Sequence, residues 1–147
     1  MARRPARPSR PARPSGSSRS AVTADSPCPC GRAATYGACC GRFHTGPATA
    51  PTAELLMRSR YTAFAVLDAA YLLRSWDPAT RPPTLELDPA TRWTGLEILD
   101  VTDGSPFHTT GTVTFRARFT RRGEPGVQEE HSRFARHDGA WVYVGHI

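Results

Sequence analysis

The chain has 147 residues, room for one ordinary domain. Its 19 basic residues, all arginine, outnumber its 13 acidic ones by a net +6, but Arg3, Arg4, Arg7, Arg10, Arg13 and Arg19 all precede the first carboxylate, so the remainder is formally neutral. That location argues against a basic nucleic-acid-binding face on the folded part, and the lack of any apolar run of ~18 residues excludes a helical membrane span.

Arg4 to Ser15 is the hexamer Arg-Pro-Ala-Arg-Pro-Ser written twice. Residues 1–24 have too little apolar surface to offset the entropy of ordering and read as a disordered Arg/Pro-rich tail. Such a tail is an electrostatic arm for RNA, DNA or acidic lipid, a plain spacer, or an extension upstream of a true start at Val22. No apolar stretch follows Arg3-Arg4, so neither a twin-arginine nor a Sec-type leader is expected, and the expected compartment is the cytoplasm.

Residues 26–44 hold all four cysteines, spaced Cys-x-Cys, eight residues, Cys-Cys. In a reducing compartment such clustering favours metal over disulfide. Tetrahedral zinc takes four soft or borderline ligands, commonly from two short loops. Cys28-Pro29-Cys30-Gly31 supplies one loop, stiffened by Pro29 and turned by Gly31; Gly37 to Gly41 supplies the other, with Cys39 and Cys40 adjacent. Four thiolates leave no open position, so a zinc here is structural, and its binding energy, on the order of 10 kcal/mol, exceeds what so short a segment obtains from burial. Two alternatives stand beside this reading: a cluster of free or redox-active thiols, and a Cys₃His site in which His44 replaces one cysteine.

After a linker from Gly46 to Pro51, residues 50–147 have an ordinary domain composition. Thr52 is an N-cap and Glu54 suits a helix N-terminus. Leu56, Arg60, Ala63, Phe64 and Leu67 then share one helical stripe, while Glu54 and Arg58 pair at i, i+4. Asp68 caps a second helix, Ala69 to Trp76, which Asp77-Pro78 stops. Leu96 and Ile98 suggest a strand. From Gly111 to Phe119 alternation is strict, with Val113, Phe115, Ala117 and Phe119 on one face. Arg122 to Gly126 reads as a turn, Val127 to Arg136 as a strand, His137-Asp138-Gly139 as a turn and Trp141 to Val144 as a last strand. Helices ahead of an antiparallel meander make an α+β fold.

The stretch from Cys28-Pro29-Cys30-Gly31 through Tyr36 to Cys39-Cys40-Gly41 resembles the SEC-C motif, the zinc module at the C-terminus of the translocation ATPase SecA. The chain beyond this motif is similar to the bacterial YchJ family. The resemblance is carried by Leu56-Met57-Arg58-Ser59-Arg60-Tyr61-Thr62-Ala63-Phe64, by Trp76-Asp77-Pro78-Ala79-Thr80-Arg81-Pro82, by Trp93 to Asp100, and by Ser132-Arg133-Phe134 with Trp141-Val142-Tyr143-Val144. It implies a SEC-C knuckle joined to a cone-shaped domain like nuclear transport factor and the cystatin-like folds. It also implies four cysteine zinc ligands, matching Cys28, Cys30, Cys39 and Cys40. Three features depart from the family pattern. Gly31-Arg32-Ala33-Ala34 replaces the usual Gly-Ser-Gly-Lys, so a basic contact is lost or moves to Arg32. Asp77 stands where a histidine is common, and a second C-terminal SEC-C copy is absent.

Arg60 falls where the core belongs, and a buried guanidinium needs a carboxylate or an anion. Glu130, Ser132 and Phe134 share a strand face, so Arg60 and Glu130 are expected to meet inside the cone, with Trp76 or Tyr61 nearby. That meeting is a small-molecule pocket, a structural ion pair, or a rim arginine with its head in water. Arg60, Tyr61, Trp76, Asp77 and Glu130 are the candidate pocket residues. Three functions are compatible with these features: an adaptor using the knuckle to contact a protein partner; an isomerase- or dehydratase-like enzyme with Asp77, Glu130 or His131 as acid–base groups; and nucleic-acid or ribosome association through the tail and knuckle.

Overall fold

Alternation of apolar and polar side chains dictates the second half of the chain. In the computed structural model, which describes residues 21–147, four strands form one antiparallel sheet in sequence order. They are β1 (Thr91–Asp103), β2 (Thr110–Arg121), β3 (Glu124–His137) and β4 (Ala140–His146). Val113, Phe115 and Ala117 of β2 are buried, and the residues between them keep contact with water. Phe119, expected on the same face, is half-buried, its ring 5.1 Å from that of Trp93. On the outer face Arg116 stands opposite Glu97 and Glu129, and its guanidinium reaches both carboxylates.

Arg122-Gly123 and Asp138-Gly139, all with positive φ, close two-residue hairpins of the type that matches strand twist. The first is shorter than the expected turn from Arg122 to Gly126: Glu124, Pro125 and Gly126 pair with Arg121, Thr120 and Phe119 and belong to β3. Pro125 is tolerated because β4 pairs only with Ser132 to His137, which leaves the start of β3 as an open edge. Register shifts at Trp93/Gly95, Ile98/Asp100 and Arg133/Phe134 add local bends to the sheet.

Among the described residues three helices precede it: α1 (Gly41–Thr45), α2 (Ala53–Val66) and α3 (Ala69–Arg74). The two expected caps are present: the Thr52 hydroxyl accepts from the Leu55 N–H at 3.1 Å and Asp68 from the Tyr71 N–H at 3.0 Å. Two expectations need correction. Leu67 does not extend the α2 stripe; it is the left-handed C-cap (φ 63°) and is 39% exposed. The second helix stops before Trp76 because the sheet recruits that backbone: Tyr143 N–H donates to Ser75 O and Asp77 N–H to Tyr143 O, at 2.9 and 2.8 Å.

Helix α2 is buried on two sides. Met57, Arg60, Tyr61 and Phe64 line a cavity over the sheet, while Ser59 and Thr62 contact the cysteine module. The Arg-Pro-Ala-Arg-Pro-Ser repeats lie outside the described residues. Among those described, no helix is long and apolar enough to cross a membrane.

Candidate metal centre and aromatic cavity

Two backbone turns bring the cysteines together. Gly31 (φ 90°) lets its N–H return to Cys28 O at 3.1 Å, closing the first turn around Cys28 and Cys30. In the second, Cys39 and Gly41 both donate backbone N–H groups to Tyr36 O, and Cys40 leads into α1, a short helix that sequence periodicity did not signal. All four side chains are buried, and their sulfurs lie within 4.8 Å of one another. Cys30 Sγ and Cys39 Sγ are 3.7 Å apart. A tetrahedral ion with ~2.3 Å metal–sulfur bonds has sulfur–sulfur edges of about 3.8 Å, so this donor set fits a single metal ion. No disulfide joins these cysteines.

The electrostatics favour a cation. Hydrogen bonds to Cys30 and Cys40 pull the Cys28 thiol far down, its bond to Cys28 pushes Cys40 far up, and burial raises Cys39 to about 11. Four thiols this close cannot all ionise unless a cation compensates them.

The surrounding polar groups weld this module to the helices. The Thr62 hydroxyl donates to Cys40 Sγ at 3.3 Å. Arg58 forms the expected pair with Glu54 at 3.0 Å and, beyond that expectation, donates to Cys30 O at 2.9 Å. Arg74 donates to the carbonyls of Phe43 and His44, both at 3.1 Å, at the end of α1. His44 is not placed as a ligand. Both its nitrogens are engaged, Nδ1 with Tyr36 Oη at 2.7 Å and Nε2 with Ser59 O at 2.8 Å. Because Ser59 O can only accept, Nε2 carries the proton and Nδ1 accepts from the tyrosine. Burial lowers the pKa of this ring and so favours its neutral form.

On the other side of α2 lies a cavity of about 280 Å³. Four of the five candidate pocket residues line it: Arg60, Tyr61, Trp76 and Glu130. Asp77 does not. Its carboxylate accepts from the Ala79 N–H at 2.9 Å, and its own N–H goes to the sheet. His131 is exposed, as expected of a residue alternating with Glu130.

Arg60 and Glu130 do not form the expected ion pair. Arg60 Nη1 donates to Leu72 O at 2.8 Å and Ser75 Oγ at 2.7 Å, and its guanidinium lies 5.0 Å from the Trp76 ring and 4.6 Å from the Tyr143 ring. Burial pushes its pKa down to about 10. Glu130 Oε2 instead accepts from Ser132 Oγ at 2.6 Å and Tyr143 Oη at 2.8 Å. Tyr143 therefore bridges the two charges, its ring on the cation and its hydroxyl on the anion. The reading of the sequence missed Tyr143 in this role, since no local signal ties it to Glu130. It also missed Trp93, which packs at 6.0 Å from Tyr61 and 6.2 Å from Phe64 on the cavity wall.

Comparison with known proteins agrees with this architecture. Residues 52–146 match the family described as YchJ, middle NTF2-like domain, and residues 26–42 match the SEC-C motif. A UPF0225 protein of Streptomyces coelicolor is 68% identical over 118 residues, which cover 80% of this chain and 92% of that protein. A UPF0225 protein of Corynebacterium glutamicum is 57% identical over 116 residues, covering 79% and 92%. The solution structure of a SEC-C motif containing protein from Rhodopseudomonas palustris superposes with a TM-score of 0.72 at 31% identity, covering 82% of this chain and 96% of that one. A crystal structure of a SEC-C motif containing protein from Psychrobacter arcticus gives 0.68 at 25% identity, covering 82% and 81%. The chain therefore belongs to the YchJ family, with a SEC-C motif ahead of an NTF2-like domain.

Proposed function

We propose that this chain is a cytoplasmic, non-catalytic binding protein in which Cys28, Cys30, Cys39 and Cys40 hold one structural zinc ion and the exposed rim of the module contacts a protein partner. The observation that carries the reading is the sulfur cluster itself, with a 3.7 Å edge and all four side chains buried. Soft thiolates in a tetrahedral set favour zinc over oxygen-seeking cations, and burial leaves no coordination position for a substrate. When bound, zinc supplies a fixed dication that neutralises the thiolates and cross-links the two turns. Thr62 and Arg58 orient the ligands from α2, as outer-shell hydrogen bonds do at metal sites.

A contact role is supported by what the module leaves outside. Gly31, Arg32, Ala33, Ala34 and Thr35 are all exposed on the first turn, and Arg42 is exposed on α1, its Nε donating to Cys39 O at 3.0 Å and its guanidinium 4.7 Å from the Phe43 ring. Arg32 and Arg42 point to an acidic protein surface. Affinity capture comparing the native chain with the R32E/R42E double variant tests this. Loss of a specific partner with zinc content unchanged is the expected result, and identical partner sets would overturn the contact role.

A further inference from the structure

The cavity on the sheet side of α2 is lined by an arginine whose guanidinium the fold only partly uses. Trp76 Nε1 is buried without a hydrogen-bond partner, and among the buried side-chain nitrogen and oxygen atoms of the described residues it stands alone in this. Beside it, Arg60 is 5% exposed and spends only Nη1 on the protein, on Leu72 O and Ser75 Oγ. Nε and Nη2 of Arg60 make no hydrogen bond, and no carboxylate pairs with the guanidinium. A purely structural arginine would be expected to use its fork fully, since an unmade bond to a buried charge is costly.

The remaining walls are rings. Tyr61, Phe64 and Trp93 form one aromatic cluster, and Trp76, Tyr143 and Phe134 form another. The volume, about 280 Å³, falls just under the roughly 300 Å³ at which sites for drug-sized ligands begin and so suits a smaller molecule. A flat apolar body fits such walls, and a single planar anion fits the side-on fork made by Nε and Nη2 of Arg60.

We propose that this cavity is a binding site for a small aryl carboxylate, whose carboxylate is received by the Nε/Nη2 edge of Arg60 and whose ring packs between the two aromatic clusters. Glu130 sets the charge limit. Its carboxylate also lines the cavity, held by Ser132 and Tyr143, so a dianion such as phosphate meets repulsion that a monoanion with its charge at Arg60 largely avoids. None of the groups proposed to hold the carboxylate is one of the four cysteines, so the proposal does not depend on which ion they hold.

The test is a titration of the full chain with benzoate, phenylacetate and indole-3-acetate, followed through the indole N–H resonances of the three tryptophans. Phenylacetamide and phenethylamine serve as neutral and cationic controls. The Trp76 signal, assigned by its loss in W76F, is expected to move saturably with at least one of the acids. The Trp141 signal is expected to stay, because its N–H is held by Pro51 O at 3.1 Å. The matched acid is expected to bind at least about tenfold more tightly than its amide or amine, which is one ~1.4 kcal/mol step. R60M should remove that preference. Should R60M fail to fold, R60K, which keeps the charge and loses the planar fork, is expected to weaken acid binding and leave amide binding unchanged. The proposal is overturned if no acid gives a saturable shift in the millimolar range, if amide or amine binds as tightly as the acid, or if neither variant changes the preference.

Discussion

The hydroxyl of Thr62, in the middle of α2, donates to the sulfur of Cys40 at 3.3 Å with both side chains fully buried. The same helix presents Met57, Arg60, Tyr61 and Phe64 to the cavity on its other side. The cysteine module and the NTF2-like domain thus meet on α2, with Arg74 of α3 beside it, and what loosens the cysteines loosens a wall of the cavity.

Replacing Thr62 by valine keeps the shape and removes the donor. Hydrogen bonds to metal ligands from the outer shell typically govern 10–100-fold in affinity, so T62V should bind zinc roughly tenfold more weakly. T62S should restore most of it. Competition with a chromophoric chelator measures this directly, and equal affinities in T62V and the native chain would show that the contact is packing alone.

Stripping the metal should melt the module first. Residues 26–44 have few apolar groups, and four crowded thiols without a cation resist ionisation, so a chelator is expected to erase hydrogen-exchange protection there. Protection of α2 should fall with it, because Arg58 and Thr62 lose their partners. The β2–β3 hairpin, held by its own cross-strand pairing, should stay protected. Uniform protection before and after chelation would contradict the coupling.

His44 gives stability a defined pH dependence. Burial places its folded-state pKa below the ordinary 6.5, so the unfolded chain takes up a proton before the native one does. Its contribution is complete above about pH 6.5 and declines below that by at most ~1.4 kcal/mol per pH unit, until the folded-state pKa is passed. Denaturant unfolding with zinc in excess should show this slope in the native chain and a shallower one in H44Q. Parallel profiles would remove His44 from the account.

Phe134 is 1% exposed, its ring 5.8 Å from that of Tyr143. Truncation to alanine should cost about 3–5 kcal/mol, the range for a buried phenylalanine that leaves a void behind. A cost under ~1 kcal/mol would mean that the neighbouring cavity simply collapses to fill the space.

Much of this architecture is legible in the sequence because its signals are local. Thr52 and Asp68 announce helix starts by their own side chains, Val113, Phe115 and Ala117 announce a buried strand face by period, and two adjacent cysteines beside Cys-x-Cys announce four sulfurs gathered in one place. What escapes the sequence is long-range partnership. Glu130 has Ser132 two residues away on its own strand face and Tyr143 on the next strand, so it has no need of Arg60; nothing local in the sequence ranks those partners. His44 lies close enough in sequence to be a metal ligand, but Tyr36 and Ser59 claim both its nitrogens through contacts that only the folded chain creates. Leu67 continues a helical pattern on paper, yet α2 has to end there for α3 to begin at Asp68. Trp76 leaves the helix because a strand some 70 residues later takes its backbone neighbours.

The central claim is that the four sulfurs enclose one zinc ion. Zinc K-edge X-ray absorption on freshly purified, reduced protein, with elemental analysis of the same sample, tests it most directly. The expected result is one zinc per chain with four sulfur neighbours at about 2.3 Å and no nitrogen or oxygen in the shell. Substoichiometric zinc, or a shell with a nitrogen in place of one sulfur, would contradict it.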